Sequence, residues 1–93
     1  MKLLIIEDDP NLSDVIRQCV APFYQTEQAF DGEEGLYYAS QNIYDLILLD
    51  LMLPLIDGYE VLRQLREQKI YTPVLILTAR GTMTDKTKGF RTG

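Results

Sequence analysis

Apolar and polar residues alternate along the first third of the chain in a strand-then-helix pattern. Residues 3–6 are all apolar and are followed by the acids Glu7 and Asp8, which is typical of a buried strand with a polar end. Asp9 and Pro10 favour a helix start, because aspartate caps free N–H groups and proline fits the first helical position. One helical stripe is predicted from positions i, i+3, i+4, i+7, i+8 and i+11, namely Leu12, Val15, Ile16, Cys19, Val20 and Phe23. On that stripe Cys19 is expected to be a small core side chain.

The same alternation continues to the end of the chain. Residues 24–30 predict an edge strand with interspersed polar side chains, and Asp31 predicts the cap of a second helix. Residues 45–49 are predicted to form a strand covered on both faces. Asp57 and Glu60 resemble a capping box that starts a third helix. The remaining predicted elements are a strand at 74–77, a turn at 78–81 and a weak helix at 84–93.

Four strand–helix units with short connections predict an α/β fold with a parallel sheet and helices on both faces. All strands of such a sheet point the same way, so the residues after strands one, three and four meet at one edge, where ligands bind. Glu7, Asp8, Asp50 and Thr78 lie at that edge. If the strand order is 2-1-3-4, the three carboxylates share one crevice at the switch point.

Composition narrows the class of protein. The chain has 93 residues, no apolar run long enough to cross a bilayer, and a net charge of -5, from which we expect a single cytosolic domain that does not itself bind nucleic acid or membrane. Cys19 is its only cysteine and histidine is absent, which excludes an internal disulfide and the usual zinc sites.

An acidic crevice without histidine or cysteine is a hard, oxygen-only site that suits Mg2+, and a phosphoryl group is the natural guest of such an ion. Asp50 then has two possible roles, metal ligand alone or nucleophile that accepts the phosphoryl group. Thr78 is either a hydroxyl donor to a phosphoryl oxygen or an ordinary turn residue.

Several motifs, in order and spread across the whole chain, resemble the receiver domain of bacterial two-component response regulators. The wording is most similar to the OmpR/PhoB subfamily of winged-helix transcription regulators. The motifs are Leu3-Leu4-Ile5-Ile6-Glu7-Asp8-Asp9, Asp31-Gly32-Glu33-Glu34, Leu46-Ile47-Leu48-Leu49-Asp50-Leu51-Met52-Leu53-Pro54, Asp57-Gly58 and Pro73-Val74-Leu75-Ile76-Leu77-Thr78-Ala79.

The resemblance implies a flavodoxin-like (CheY-like) three-layer fold with sheet order 2-1-3-4. It implies that Asp50 accepts a phosphoryl group from a sensor histidine kinase, that Thr78 follows that group, and that Ala79 leaves room for the movement. It also implies an Mg2+ site whose ligands are Glu7, Asp8, Asp50 and the backbone carbonyl of Met52. Such a domain assists its own phosphorylation as a signalling module and is not a turnover enzyme.

The family pattern continues beyond Gly93, into a fifth strand with a phosphoryl-binding lysine, a fifth helix and, in this subfamily, a DNA-binding domain. We therefore interpret residues 1–93 as the N-terminal (βα)4 portion of a receiver domain, with no DNA-binding domain in this chain. Lys86 and Lys88 lie on the wrong element to replace that lysine, so impaired phosphorylation is expected. An uncovered fourth strand further predicts a homodimer.

Three other functions compete with this interpretation. Haloacid-dehalogenase-type phosphatases place a second acid two residues after the nucleophile, where this chain has Met52. A dinucleotide-binding module requires a glycine-rich turn after strand one, where this chain has acids. A purely structural, dimerising module is the remaining alternative, and an Mg2+ titration distinguishes it from a signalling domain.

Overall fold

The computed structural model describes residues 1–77, and within them four parallel strands form one sheet. The strands are β1 (Lys2–Ile6), β2 (Gln25–Ala29), β3 (Leu46–Asp50) and β4 (Val74–Leu77). Their order in the sheet is β2-β1-β3-β4. β1 and β3 are the two central strands, and their register pairs Ile6 with Leu49. The predicted sheet order is thus confirmed, and it places the ends of β1 and β3 side by side.

Three helices connect the strands, and each begins at a capping aspartate. They are α1 (Pro10–Val20), α2 (Gly32–Ala39) and α3 (Gly58–Glu67). The carboxylates of Asp9, Asp31 and Asp57 accept N–H groups of the first turns, as the sequence predicts. The capping box at α3 is half formed, because the Glu60 carboxylate contacts Arg63 and Gln64 within its own helix.

Alternate residues of the sheet face two separate apolar clusters, which makes the fold three-layered. On one face, Leu4, Ile6, Ile47 and Leu49 are buried beneath α2 and α3, together with Val61, Leu62 and Leu65. On the other face, Leu3, Ile5 and Leu48 pack against Ile16 and Val20 of α1. The larger cluster therefore fixes α3, and with it the loop that follows β3.

Half of the apolar stripe predicted for α1 is exposed and does not belong to the core. Cys19 is exposed, Val15 is 56% exposed and Phe23, which follows the helix, is 76% exposed. The buried arc of α1 instead runs through Ser13, whose hydroxyl accepts a hydrogen bond from the Gln28 amide at 2.9 Å. Of the stripe, only Ile16 and Val20 pack against the small cluster, which therefore covers a narrower arc of α1 than the stripe provides.

The turn at 78–81, the helix at 84–93 and the two site residues Thr78 and Ala79 lie outside the described residues. Within residues 1–77, none of the three helices combines the length and apolarity that crossing a bilayer requires.

Candidate metal centre

Three carboxylates meet where β1 and β3 end. Glu7 and Asp8 follow β1, and Asp50 is the last residue of β3. The Ile6–Leu49 pairing brings the next residue of each strand level, so one oxygen from each carboxylate lies within 4.8 Å of the others. Glu7 is 1% exposed and Asp50 is 3% exposed, whereas Asp8 is half-buried. The structure thus brings together the three acids that the sequence placed at this edge.

Backbone N–H groups orient two of these carboxylates. Oε2 of Glu7 accepts the N–H of Asp9 at 2.9 Å. Oδ1 of Asp50 accepts the N–H of Met52 at 3.0 Å, so the residue whose carbonyl is a predicted ligand is held against the Asp50 side chain. Each contact is a charge-assisted hydrogen bond across two residues, which fixes the carboxylate relative to its own backbone.

The cluster is electrostatically costly. Burial raises the pKa of the Glu7 carboxyl well above its ordinary value, the hydrogen bond with Asp8 and the charge of Asp50 raise it further, and the Asp9 N–H opposes them. A divalent cation would offset this repulsion. Carboxylate oxygens are the ligands that Mg2+ prefers, so these residues fit the ion that the sequence predicts.

An open cleft of about 500 Å³ adjoins the cluster. Its lining includes Asp8 and Met52 from the site and residues of the loop after β3, namely Leu51, Leu53, Pro54, Asp57 and Tyr59. The cleft gives a solute access to the half-buried Asp8 side of the cluster.

The loop between β3 and α3, residues 51–57 and hereafter the site loop, contains an uncommon turn. The N–H of Ile56 donates to the carbonyl of Pro54 at 2.9 Å, and Leu55 between them has a φ of 71°. This combination is typical of the classic γ-turn, which is rare and strained. The N–H of Gly58 donates to the carbonyl of Leu51 at 3.0 Å and closes the loop where α3 begins.

Sequence reasoning missed the backbone contacts of two glycines. A Cβ atom on Gly58 would lie 2.5 Å from the carbonyl oxygen of Asp50, and one on Gly32 would overlap the backbone of Ile56. Both glycines follow a capping aspartate, so the repeated Asp-Gly pair was the available signal. The sequence analysis used this pair as a helix cap and as a family motif, and neither use predicts a backbone contact.

Comparisons with known proteins point to one family. The family model described as response regulator receiver domain matches residues 3–93. The transcriptional regulatory protein CiaR of Streptococcus pneumoniae is 52% identical over 93 residues, which are 100% of this chain and 42% of that protein. The chain therefore spans about two fifths of the length of the first curated relatives that it matches.

Solved receiver domains share the fold. That of the Francisella response regulator 1452 has a TM-score of 0.87 and 38% identity, and the match covers 99% of this chain and 77% of that one. The receiver domain of the sensor histidine kinase PA1611 from Pseudomonas aeruginosa, described with a magnesium ion coordinated in its active-site cleft, has a TM-score of 0.87 and 30% identity, with 99% and 78% covered.

Proposed function

Because this chain belongs to the response regulator receiver domain family, we propose that Asp50 accepts a phosphoryl group from a phosphohistidine of a sensor histidine kinase. The observation that carries the proposal is the burial of Asp50 within 4.8 Å of two further carboxylates at the end of a central strand. An isolated buried acid would be a poor nucleophile for an anionic donor. An acid in a cation-binding cluster is a suitable one.

The proposed phosphoryl transfer is a single displacement at phosphorus. A carboxylate oxygen of Asp50 attacks the phosphorus atom, the bond between phosphorus and the donor's imidazole nitrogen breaks, and that nitrogen keeps the electron pair and takes up a proton. The Met52 N–H, 3.0 Å from Oδ1, holds the Asp50 carboxylate in one orientation during the attack. The product is an acyl phosphate on Asp50 and a neutral histidine on the kinase.

Glu7, Asp8, Asp50 and the Met52 carbonyl would hold Mg2+. When bound, the ion supplies charge neutralisation between the anionic nucleophile and the anionic phosphoryl group. The chain itself positions the carboxylates, because the β1–β3 register and the N–H of Asp9 hold Glu7 beside Asp50. Thr78 and Ala79 complete the proposal as the hydroxyl that follows the phosphoryl group and the small residue beside it.

The domain assignment is also part of the proposal. Residues 1–93 act as the (βα)4 portion of a receiver that controls transcription through a DNA-binding domain outside these residues, in the cytoplasm and without direct nucleic-acid or membrane binding by residues 1–93. The transcriptional regulator CiaR, of which the match covers 42%, supports this division. The chain acts as a signalling module that is phosphorylated and not as a turnover enzyme.

A phosphodonor assay tests the metal and the chemistry together. Acetyl phosphate with Mg2+ should add one phosphoryl group to the chain, detected by intact-protein mass spectrometry. Replacing Mg2+ with EDTA should lower the rate by roughly a hundredfold or more, the range typical of losing one preorganised electrostatic contact. Equal labelling in EDTA would contradict the metal role, and no labelling under any condition would favour the purely structural, dimerising module.

Homodimerisation through β4 is a second part of the proposal. In the described part of the chain β4 pairs with β3, its other edge has no strand beside it, and its Leu75 is 57% exposed. An apolar edge strand favours pairing with a second copy. Light scattering at increasing protein concentration should show a rise from monomer to dimer mass that Leu75→Lys prevents. A monomer throughout the high micromolar range would refute the dimer and leave the phosphorylation proposal unaffected.

A further inference from the structure

The first residue of α2 lies against the site loop. The N–H of Gly32 donates to the carbonyl of Pro54 at 3.2 Å. A Cβ atom at Gly32 would overlap the Ile56 carbonyl oxygen and lie 2.5 Å from the Ile56 carbonyl carbon. The atoms that it would meet belong to the backbone, which cannot rotate away as the end of a side chain can. Residue 32 must therefore be glycine for α2 and the site loop to keep this separation.

This contact supports the strained part of the loop. The Pro54 carbonyl accepts two N–H groups, one from Ile56 within the γ-turn and one from Gly32. Leu55 holds a positive φ that a branched side chain disfavours, and such a conformation persists only where its surroundings enforce it. Gly32 supplies one such contact from outside the loop, and the packing of Ile56 against the larger apolar cluster supplies another.

The same loop begins at the candidate metal centre. At one end of the loop, the N–H of Met52 donates a hydrogen bond to the Asp50 carboxylate. At the other end, the N–H of Gly58 donates to the carbonyl of Leu51. The middle of the loop contacts Gly32, and its Leu53 and Ile56 side chains pack against the larger apolar cluster. Met52 lies only two residues before Pro54, so a displacement of Pro54 would strain the backbone at Met52, whose carbonyl is a proposed ligand.

We propose that Gly32 is a positioning residue for the metal centre. It acts through Pro54 and Ile56, and it does not touch the ion. Its missing side chain lets α2 hold the site loop so that Asp50 and Met52 keep the relative placement that Mg2+ binding requires. This inference rests on the proposed Mg2+ site and adds a residue to which that proposal gives no role.

Gly32→Ala tests the inference, with Gly35→Ala as its matched control. Gly35 lies one turn further along α2, and a Cβ there would meet the Ile6 side chain at 2.7 Å, so the same substitution disturbs the core and not the loop. Isothermal titration with MgCl2, at a temperature where circular dichroism shows each variant folded, measures affinity separately from stability. We expect both variants to unfold at lower temperature. Only Gly32→Ala should lose Mg2+ affinity, by roughly tenfold or more, as is typical of residues that support metal ligands.

The possible outcomes separate this inference from the proposed function. Wild-type affinity in Gly32→Ala overturns the inference alone, as does an equal loss in Gly35→Ala. A wild-type chain that binds no Mg2+ overturns the metal site and the inference together. If Gly32→Ala does not fold, amide NMR of the wild type decides: the Gly32 resonance should shift with Met52 as Mg2+ is added, and an unmoved Gly32 beside a shifted Met52 contradicts the inference.

Discussion

Asp50→Asn should abolish phosphorylation by acetyl phosphate in the presence of Mg2+. The substitution keeps the size of the side chain and an oxygen able to accept the Met52 N–H, which the wild-type carboxylate accepts at 3.0 Å. It removes the anionic nucleophile, because a neutral amide does not form a stable acyl phosphate. Intact-protein mass spectrometry should show no added phosphoryl group after a time in which the wild type acquires a clearly measurable one.

Asp57→Asn is the matched control for that experiment. Asp57 is exposed, lies in the same loop and lines the same cleft, but its carboxylate caps α3 by accepting the Glu60 N–H at 2.9 Å. Asparagine caps a helix about as well as aspartate, so the fold should be unaffected. Labelling of Asp57→Asn should continue near the wild-type rate. Labelling of Asp50→Asn at that rate would show that another residue is the acceptor.

Asp50→Asn should also change the stability of the chain, in a direction that depends on the metal. Without Mg2+, Asp50→Asn should raise the free energy of unfolding by about 1 kcal/mol, because it removes one of three carboxylates that repel one another. Mg2+ should then stabilise the wild type and not the variant, since binding to the native state alone shifts the unfolding equilibrium. Urea denaturation with and without MgCl2 measures both effects. A variant less stable than the wild type without Mg2+ would contradict the repulsion.

Leu65→Ala should destabilise the chain by about 2 to 5 kcal/mol, the usual cost of emptying a fully buried leucine site. Leu65 lies on α3, is 0% exposed and belongs to the larger apolar cluster. A domain of this size is stable by about 5 to 14 kcal/mol, so the substitution removes a large share of the total. Chemical denaturation monitored by circular dichroism measures the change in the free energy of unfolding.

Leu55→Ala is the control for Leu65→Ala, because it makes the same leucine-to-alanine change at an exposed position. Leu55 is 75% exposed, and alanine at that position keeps the same positive-φ backbone. The change should therefore stay within about 0.5 kcal/mol, as is typical of surface substitutions. If the two alanine variants were equally stable, α3 would not be held on the sheet by the packing described above.

The proximity of Glu7, Asp8 and Asp50 could be predicted from the sequence because the signals for it are local. A run of apolar residues that ends on an acid predicts both a strand and a carboxylate at the end of that strand. Parallel strands bring their carboxyl ends to one edge of the sheet, so such carboxylates lie close together. The aspartates before α1, α2 and α3 identified the helix starts for the same reason, since a cap concerns only the next three residues.

Contacts between distant segments were not predictable in this way. The apolar period of α1 was read correctly, but it does not state how wide an arc the sheet covers, so Cys19 was assigned to the core and is exposed. The approach of Gly32 to Ile56 likewise joins the start of α2 to the site loop, two segments far apart in the sequence. The packing of α2 and α3 on the same face of the sheet brings these segments together.

The paired strands β1 and β3 are synthesised at different times, because β2 and α2 lie between them in the chain. During synthesis, Glu7 and Asp8 emerge early, and Asp50 follows only after β2 and α2 have been produced. A nascent chain that ends at α2 therefore carries Glu7 and Asp8 without Asp50, and it lacks part of the proposed Mg2+ site. Because the ion can stabilise only molecules in which the two central strands are already aligned, Mg2+ would favour late, sheet-containing folding species over early ones.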